Sequence, residues 1–403
     1  MQPSVRTRRG ASRPADASAS EALRGTSQAG GRHAGGRGGS DLAAGSARPV
    51  RPYWRQWPAW VGYAAAIWSA VYGALGVYWA TGGAGFPFGV GHDPSAHLSV
   101  LAGARPAIAA PAIALLGLLG VVVGVTIARA SGRGPERVAL LVLAWAFAAG
   151  LALVIPDARV LALAAYAPLL VIGPLFGWSP SVRFVDAMSW PLVNQTVCVS
   201  GGLLWAAAAT VYQRRTNRAC PHCGRADRSA SWTRPQAAAR WGRWAVVIAA
   251  VVPPLYAVSR LAWALGIPLG ISNAMLRAGQ AEGNGVLGAP FGLACVAIGG
   301  AVLTLGLTRP WGEVFPRWLP VLGGKRVPPA LAIVPAALVS TLVLAAGLAI
   351  ARMWLAGAFV VEAESWVGSV PMLLWPLWGV ALAAATLAYY YRRRGRCEHC
   401  GRA

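Results

Sequence analysis

Two short stretches carry the residue types best suited to chemistry. "CPHCGR" occupies 220–225 and "CEHCGR" occupies 397–402, so a Cys-x-His-Cys-Gly-Arg phrase is written twice. A Cys-x-x-Cys turn sets two sulfurs on one side of a tight loop, where one tetrahedral ion with Zn–S distances of about 2.3 Å can reach both. The Gly that follows lets the backbone fold back beneath such an ion without a Cβ clash. Cys220, Cys223, Cys397 and Cys400 are therefore candidate ligands of a single four-thiolate site, with zinc as the expected ion. His222 and His399 lie between their cysteines and are expected to point away from an ion held by both sulfurs. The arginines beside the motifs are expected to offset the charge of four thiolates.

"CPHCG" resembles the knuckle of zinc ribbons and rubredoxin-like sites, in which two such knuckles complete a four-thiolate centre. The likeness covers the motif alone at each site. Cys-Pro-His-Cys also resembles the active-site motif of periplasmic thiol oxidants, which keeps a redox dithiol open as a reading. Against it, no βαβ pattern of the thioredoxin kind surrounds either motif. A site shared between two copies of the chain and thiols without a role stay open too. The remaining cysteines, Cys198 and Cys295, fall inside apolar runs, where a free Cys behaves as a small hydrophobe.

Other polar residues are weaker candidates. "GHDPSAH" (91–97) supplies His92, Asp93 and His97, but the histidines are five apart with a Pro between, so a solvated loop is the better reading. "NQT" (194–196) puts Asn194, Gln195 and Thr196 into an apolar run. Polar groups there face a path through the bundle or bond a neighbouring helix. Arg260 lies near the end of a run, where it is expected to snorkel outward, and Pro253-Pro254 should kink or break the same helix.

The elements that position these residues follow from composition. Of 403 residues 56% are hydrophobic and only 12% charged, against about 25% charged in a soluble domain. Apolar runs at 59–80, 107–128, 188–212, 244–266, 290–308, 330–351 and 367–391 are near the roughly 20 residues that cross a bilayer as a helix. The fold class is an all-α polytopic membrane protein. Residues 138–155 and 159–177 are also apolar; two crossings there would give nine spans. The expectation adopted is eight, with 138–155 partial, interfacial or re-entrant.

The knuckles close a longer internal match. Tyr72 and Trp79 pair with Tyr256 and Trp263, "GFPFG" (85–89) with "GIPLG" (266–270), and "APAIAL" (110–115) with "APFGLA" (289–294). Tyr212 and Tyr389 each lie eight residues before the first knuckle Cys. The offset shrinks slowly from 184 residues at Tyr72 to 177 at the cysteines, as one duplication with small loop deletions requires. Four spans per half make the repeats parallel, so both knuckles emerge on one face. The expected domains are a disordered basic tail (1–56), a first repeat (57–226), a basic linker (227–243) and a second repeat (244–403).

The net charge of +23 is almost all arginine and sits mostly outside the apolar runs. Basic segments beside spans stay in the cytoplasm and attract anionic lipid head groups. Both termini are thus expected in the cytoplasm of a plasma-membrane protein whose partners are the bilayer and its anionic lipids, with no nucleic acid. His92, Asp93, Glu282, Glu362 and Glu364 fall on the opposite loops. In composition and layout the chain resembles the uncharacterised polytopic membrane proteins of GC-rich actinobacteria, a likeness that implies no activity. No phosphate-cradling, zinc-protease, serine-hydrolase or dinucleotide motif is present, so an enzyme is not expected. A transporter-like protein with a zinc clasp is the first reading. A non-catalytic scaffold, or a metal or redox sensor, is the second.

Overall fold

The computed structural model describes residues 56–402 apart from 131, 173–187, 228–229, 283–288, 360 and 362–365. The basic tail up to residue 55, Glu362, Glu364 and the end of the 159–177 run lie outside the described residues. The rest is helical, with one isolated bridge between Val314 and Arg326 among the described residues.

The first half comprises α1 (Trp57–Ala80), α2 (Pro106–Arg129), α3 (Pro135–Ala149), α4 (Ala158–Ile172) and α5 (Trp190–Thr216). The second comprises α6 (Pro235–Ala264), α7 (Asn273–Glu282), α8 (Ala289–Gly306), α9 (Pro329–Leu355), α10 (Trp366–Leu373) and α11 (Trp375–Arg393). Most long helices open on a proline, among them Pro58, Pro106, Pro135, Pro191, Pro235, Pro329 and Pro376. Proline suits the first turn because its missing N–H has no intrahelical partner there and its φ is already helical. Inside lipid a helix satisfies its backbone polar groups internally, which apolar sequence alone cannot do in an open strand.

By length and composition six helices can cross a membrane: α1, α2, α3 with its π-helical continuation to Val154, α5, α6 and α9. α10 and α11, bent by 43° about Leu374, make a seventh if they form one span. α4 and α8 are apolar but shorter.

Three expectations need correction. Residues 138–155 belong to a longer element than expected: Pro135–Val154 is one apolar stretch of 20 residues, long enough to cross by length and composition, and the described part of the 159–177 run is the shorter piece. A tight turn at Gly134, with φ 76°, starts α3 immediately after α2, and Pro156 follows its end. Second, Pro253 and Pro254 do not break α6, which runs on through both, whereas a helix break with a 43° bend falls between Pro371 and Pro376. Third, the segment expected as a linker up to residue 243 is partly helical, because α6 already begins at Pro235. Its 30 residues rise about 45 Å, more than a bilayer core of about 30 Å, so the basic first turns extend beyond the apolar stretch.

Small residues let the helices approach closely. A Cβ on Gly117 would lie 2.4 Å from the Gly73 Cα, so α1 and α2 touch backbone to backbone. α5 packs on α1 and α3; α11 packs on α6 and α9, and α6 on α8. The halves meet where α9 lies against α4 and the end of α3, with Leu342 among Val160, Leu192 and Val199. Arg352 donates across this seam to the Val154 carbonyl at 3.2 Å.

One end of the bundle carries both knuckles. Arg215 on α5 reaches the carbonyls of Pro58 and Ala128, tying the start of α1 to the end of α2. Arg392 and Arg393 on α11 reach those of Leu307 and Val327. Tyr212 and Tyr389, one turn before each chain leaves the bundle, are fully buried.

Candidate metal centre

Each knuckle is built by backbone bonds that its own sequence dictates. Cys220 N–H donates to the Arg225 carbonyl at 2.9 Å, and Gly224 N–H to the Cys220 carbonyl at 2.7 Å. In the second knuckle Cys397 N–H donates to the Arg402 carbonyl at 2.9 Å, and Gly401 N–H to the Cys397 carbonyl at 2.8 Å. Gly224 and Gly401 both have φ 71°, a left-handed conformation that costs any other L-residue about 1–2 kcal/mol.

The two loops converge. The Sγ atoms of Cys220, Cys223, Cys397 and Cys400 all lie within 4.8 Å of one another, and Cys223 and Cys400 approach to 3.6 Å. Four sulfurs about 2.3 Å from a tetrahedral zinc would be about 3.8 Å apart, so a slight contraction fits the set to that ion. All four thiols are free, with no disulfide among them.

Arginines hold the loops together by donating to backbone carbonyls across the junction. Arg225 donates to the carbonyls of Gly395, Arg394 and Arg402 at 2.9, 2.9 and 3.2 Å. Arg402 reciprocates, donating to the Arg225 carbonyl at 3.3 Å and pairing with Asp227 at 2.7 Å. Arg394 and the Tyr390 hydroxyl both donate to the Cys223 carbonyl, and Arg214 donates to those of Pro221 and His222. The arginine after each Gly thus reaches into the other knuckle. His222 and His399 stack on each other, ring centres 4.0 Å apart.

As four thiols the cluster titrates unevenly. Burial pushes Cys223 up to about 12, with neighbouring thiols adding to the rise against a backbone bond from Arg225. Burial also opposes ionisation of Cys397. There the backbone N–H groups of Cys400 and His399, with the Cys223 and Cys400 thiols, outweigh it and bring the group down to about 7. Cys397 thus ionises readily, whereas Cys223 needs a cation beside it.

The far end of the bundle holds a different polar cluster, most of which sequence reasoning missed. Arg159 grips Asp93 through two bonds of 2.8 and 2.7 Å and Asp157 through bonds of 2.6–3.1 Å. Gln195 donates to Asp157 at 2.8 Å and accepts from its backbone N–H at 3.1 Å. Tyr72 donates to Asn194 at 2.9 Å, with the Cys198 thiol 3.5 Å from the same hydroxyl. Burial opposes the Asp93 charge, but Arg159 and the Ser95 N–H overcome it and hold the carboxyl below its usual range. Asp93 therefore belongs to an ion triad and not to a metal site with His92, whose ring instead meets Phe86. A carboxylate and an arginine between two apolar runs was the signal available for Asp157 and Arg159.

Arg260 does not snorkel. It is 8% exposed, and its guanidinium lies 4.3 Å over the Tyr256 ring and 4.1 Å over Trp263. Such cation–π contacts are worth up to about 2 kcal/mol where water is excluded. Thr196 bonds the Leu192 carbonyl of its own helix. Cys295 is exposed on α8, and Cys198 is fully buried.

No protein-family model, no curated protein and no solved structure matches the chain.

Proposed function

We propose that the chain is a plasma-membrane protein made of two parallel copies of a four-span unit, clasped at their cytoplasmic ends by one zinc ion on Cys220, Cys223, Cys397 and Cys400. In this reading it acts as a non-catalytic membrane scaffold. The observation that carries it is the convergence of four thiols within 4.8 Å from loops in opposite halves. A site in which all four positions belong to protein is closed to substrate, and closed sites are structural. When bound, zinc neutralises the thiolates and cross-links the halves.

Several features support the duplication. Both knuckles share the same backbone bonds and the same φ at Gly. The turns at Gly85–Gly89 and Gly266–Gly270 all use positive φ at their glycines. The pairings α1–α2, α3–α5 and α1–α5 recur as α6–α8, α9–α11 and α6–α11. On this pairing α3 corresponds to α9, with the longer 307–328 loop inserted before it, rather than to 315–332 as the slowly shrinking offset implies. The orientation rests on charge: Arg129, Arg133, Arg137, Arg309, Arg317, Lys325 and Arg326 all flank the knuckle end, and such residues are retained in the cytoplasm.

A transporter-like reading draws on the polar residues in the first half. Most of those polar atoms are paired, Asn194 Oδ1 with Tyr72 and Gln195 with Asp157, although the buried Asn194 Nδ2 has no partner among the described residues; the pairing favours the scaffold. Metal analysis of the purified full-length protein tests the proposal. About one zinc per chain is expected, with near-complete loss in Cys397→Ser. Zinc-free protein with four readily alkylated thiols overturns it.

A further inference from the structure

The knuckle end also carries a basic cleft that the clasp does not use. Its volume is about 560 Å³, and Gln236, Arg240, Arg243, Thr308 and Arg392 line it. Arg392 is engaged with the Leu307 carbonyl and with Glu313 at 3.5 Å. Arg240 and Arg243 are exposed and have no ion pair or side-chain hydrogen bond among the described residues. They lie on the first turns of α6, just before its apolar stretch, and the adjoining Trp244 is 73% exposed. An aromatic ring at that position marks the head-group level of a bilayer.

Beside the cleft runs an apolar groove of about 870 Å³ between α8, the 307–328 loop and α9. Leu303, Trp311, Phe315, Trp318 and Leu331 form much of its wall. Leu303 is 70% and Trp318 80% exposed, so the groove is open outward. In the first half α2 and α3 pack on each other, whereas α8 and α9 stand apart across the longer loop. Leu307 lines the groove, the next residue, Thr308, lines the cleft, and Arg392 touches the Leu307 carbonyl. An anion site thus adjoins an apolar trough at the edge of the membrane-crossing helices.

We infer that the cleft and groove form one binding site for an anionic glycerophospholipid, with its phosphate between Arg240, Arg243 and Arg392 and an acyl chain in the groove. Charge complementarity selects the head group: two arginines without partners attract an anion, and a zwitterionic head group brings its own cation back against them. The trough selects a lipid over a free phosphate, since only a lipid brings an acyl chain that can lie along its apolar wall. This site is independent of the zinc reading and needs only that the helices sit in a membrane.

Native mass spectrometry of the full-length protein in detergent, titrated with phosphatidylglycerol or phosphatidylcholine of equal chain length, tests it. One retained phosphatidylglycerol per chain is expected, favoured about 25-fold, on about fivefold for each unpaired arginine at a lipid surface. Arg240→Gln with Arg243→Gln should bring the two lipids near parity, while Arg277→Gln, at an exposed site on α7, should not. Leu303→Trp, at an exposed position that narrows the groove, should weaken phosphatidylglycerol retention with the arginines intact. Unchanged metal content and a monodisperse elution profile certify each variant as folded. A double variant that keeps the preference overturns the proposal. So does displacement of the lipid by inorganic phosphate at equal concentration, which assigns the cleft to a free anion.

Discussion

At the far end of the bundle polar side chains neutralise one another, whereas at the knuckle end they bind backbone carbonyls and leave four thiols facing each other. Arg159 matches two carboxylates, and Gln195 donates to the same Asp157 Oδ2 that Arg159 holds. Its hydrogen bonds are made by first-half residues, and the Arg159 triad is satisfied within it, while the buried Asn194 Nδ2 has no partner among the described residues. The knuckles draw equally on both halves. There Arg225, Arg394 and Arg402 are spent on carbonyls across the junction, and among the described residues no arginine hydrogen-bonds a sulfur. The difference separates a self-sufficient lock from a site whose chemistry asks for a metal: buried charges must be paired, and thiolates crowded within 4.8 Å repel.

The largest expected effect breaks the knuckle end alone. Cys400→Ser should lower bound zinc from about one per chain to less than a tenth and cause the greatest fall in thermal stability. Structural zinc contributes about 10–16 kcal/mol of apparent binding energy in isolated fingers. Elemental analysis with a melting curve in detergent reads both, and an unchanged melting temperature would mean that the clasp is decorative. Next, Arg159→Met should cost about 3–5 kcal/mol by stranding two buried carboxylates, without altering zinc content. Adding Asp157→Asn should recover part of that loss, and zinc release by Arg159→Met would show that the two ends are coupled.

A smaller effect separates strain from chemistry. Gly224→Ala should cost about 1–2 kcal/mol through its positive φ and speed zinc loss to a chelator. Gly357→Ala also meets φ 71° but lies at the far end, in open space, so it should cost a similar amount and leave chelation kinetics unchanged. The smallest effect is an order of events on acidification. Because the folded Asp93 carboxyl is held below its usual range, its stabilising share is complete above the unfolded value of about 3.9 and is lost as pH falls through the lower folded value. Zinc needs deprotonated sulfur, so it should leave at a higher pH than the one at which the far-end triad fails. Parallel metal-release and near-ultraviolet circular dichroism titrations would expose the reverse order.

Much of the architecture was legible because it is local. Apolar runs of bilayer length and prolines at helix starts act within one helix, and a Cys-x-x-Cys-Gly turn closes its own backbone bonds. The same locality misled the reading elsewhere. The slowly shrinking offset sets 138–155 against 315–332, which makes a partial segment the expectation there, whereas the chain resumes its helix only at Pro329. Two prolines in α6 looked like a break, yet the bend lies in the Pro371–Pro376 stretch. Arg260 looked placed to snorkel, but Tyr256 and Trp263 enclose it.

By itself the sequence determined the all-helical membrane class, the basic character of one set of helix ends and the identity of four candidate ligands. Each follows from composition or from spacings of a few residues. Only the tertiary structure decided that Asp93 meets Arg159, that Arg225 and Arg402 exchange carbonyls, and that the two knuckles meet. Those pairs are separated by 66 residues in the first case and 177 in the second. Their meeting depends on the order and rotation of whole helices, which no periodicity within a single segment encodes.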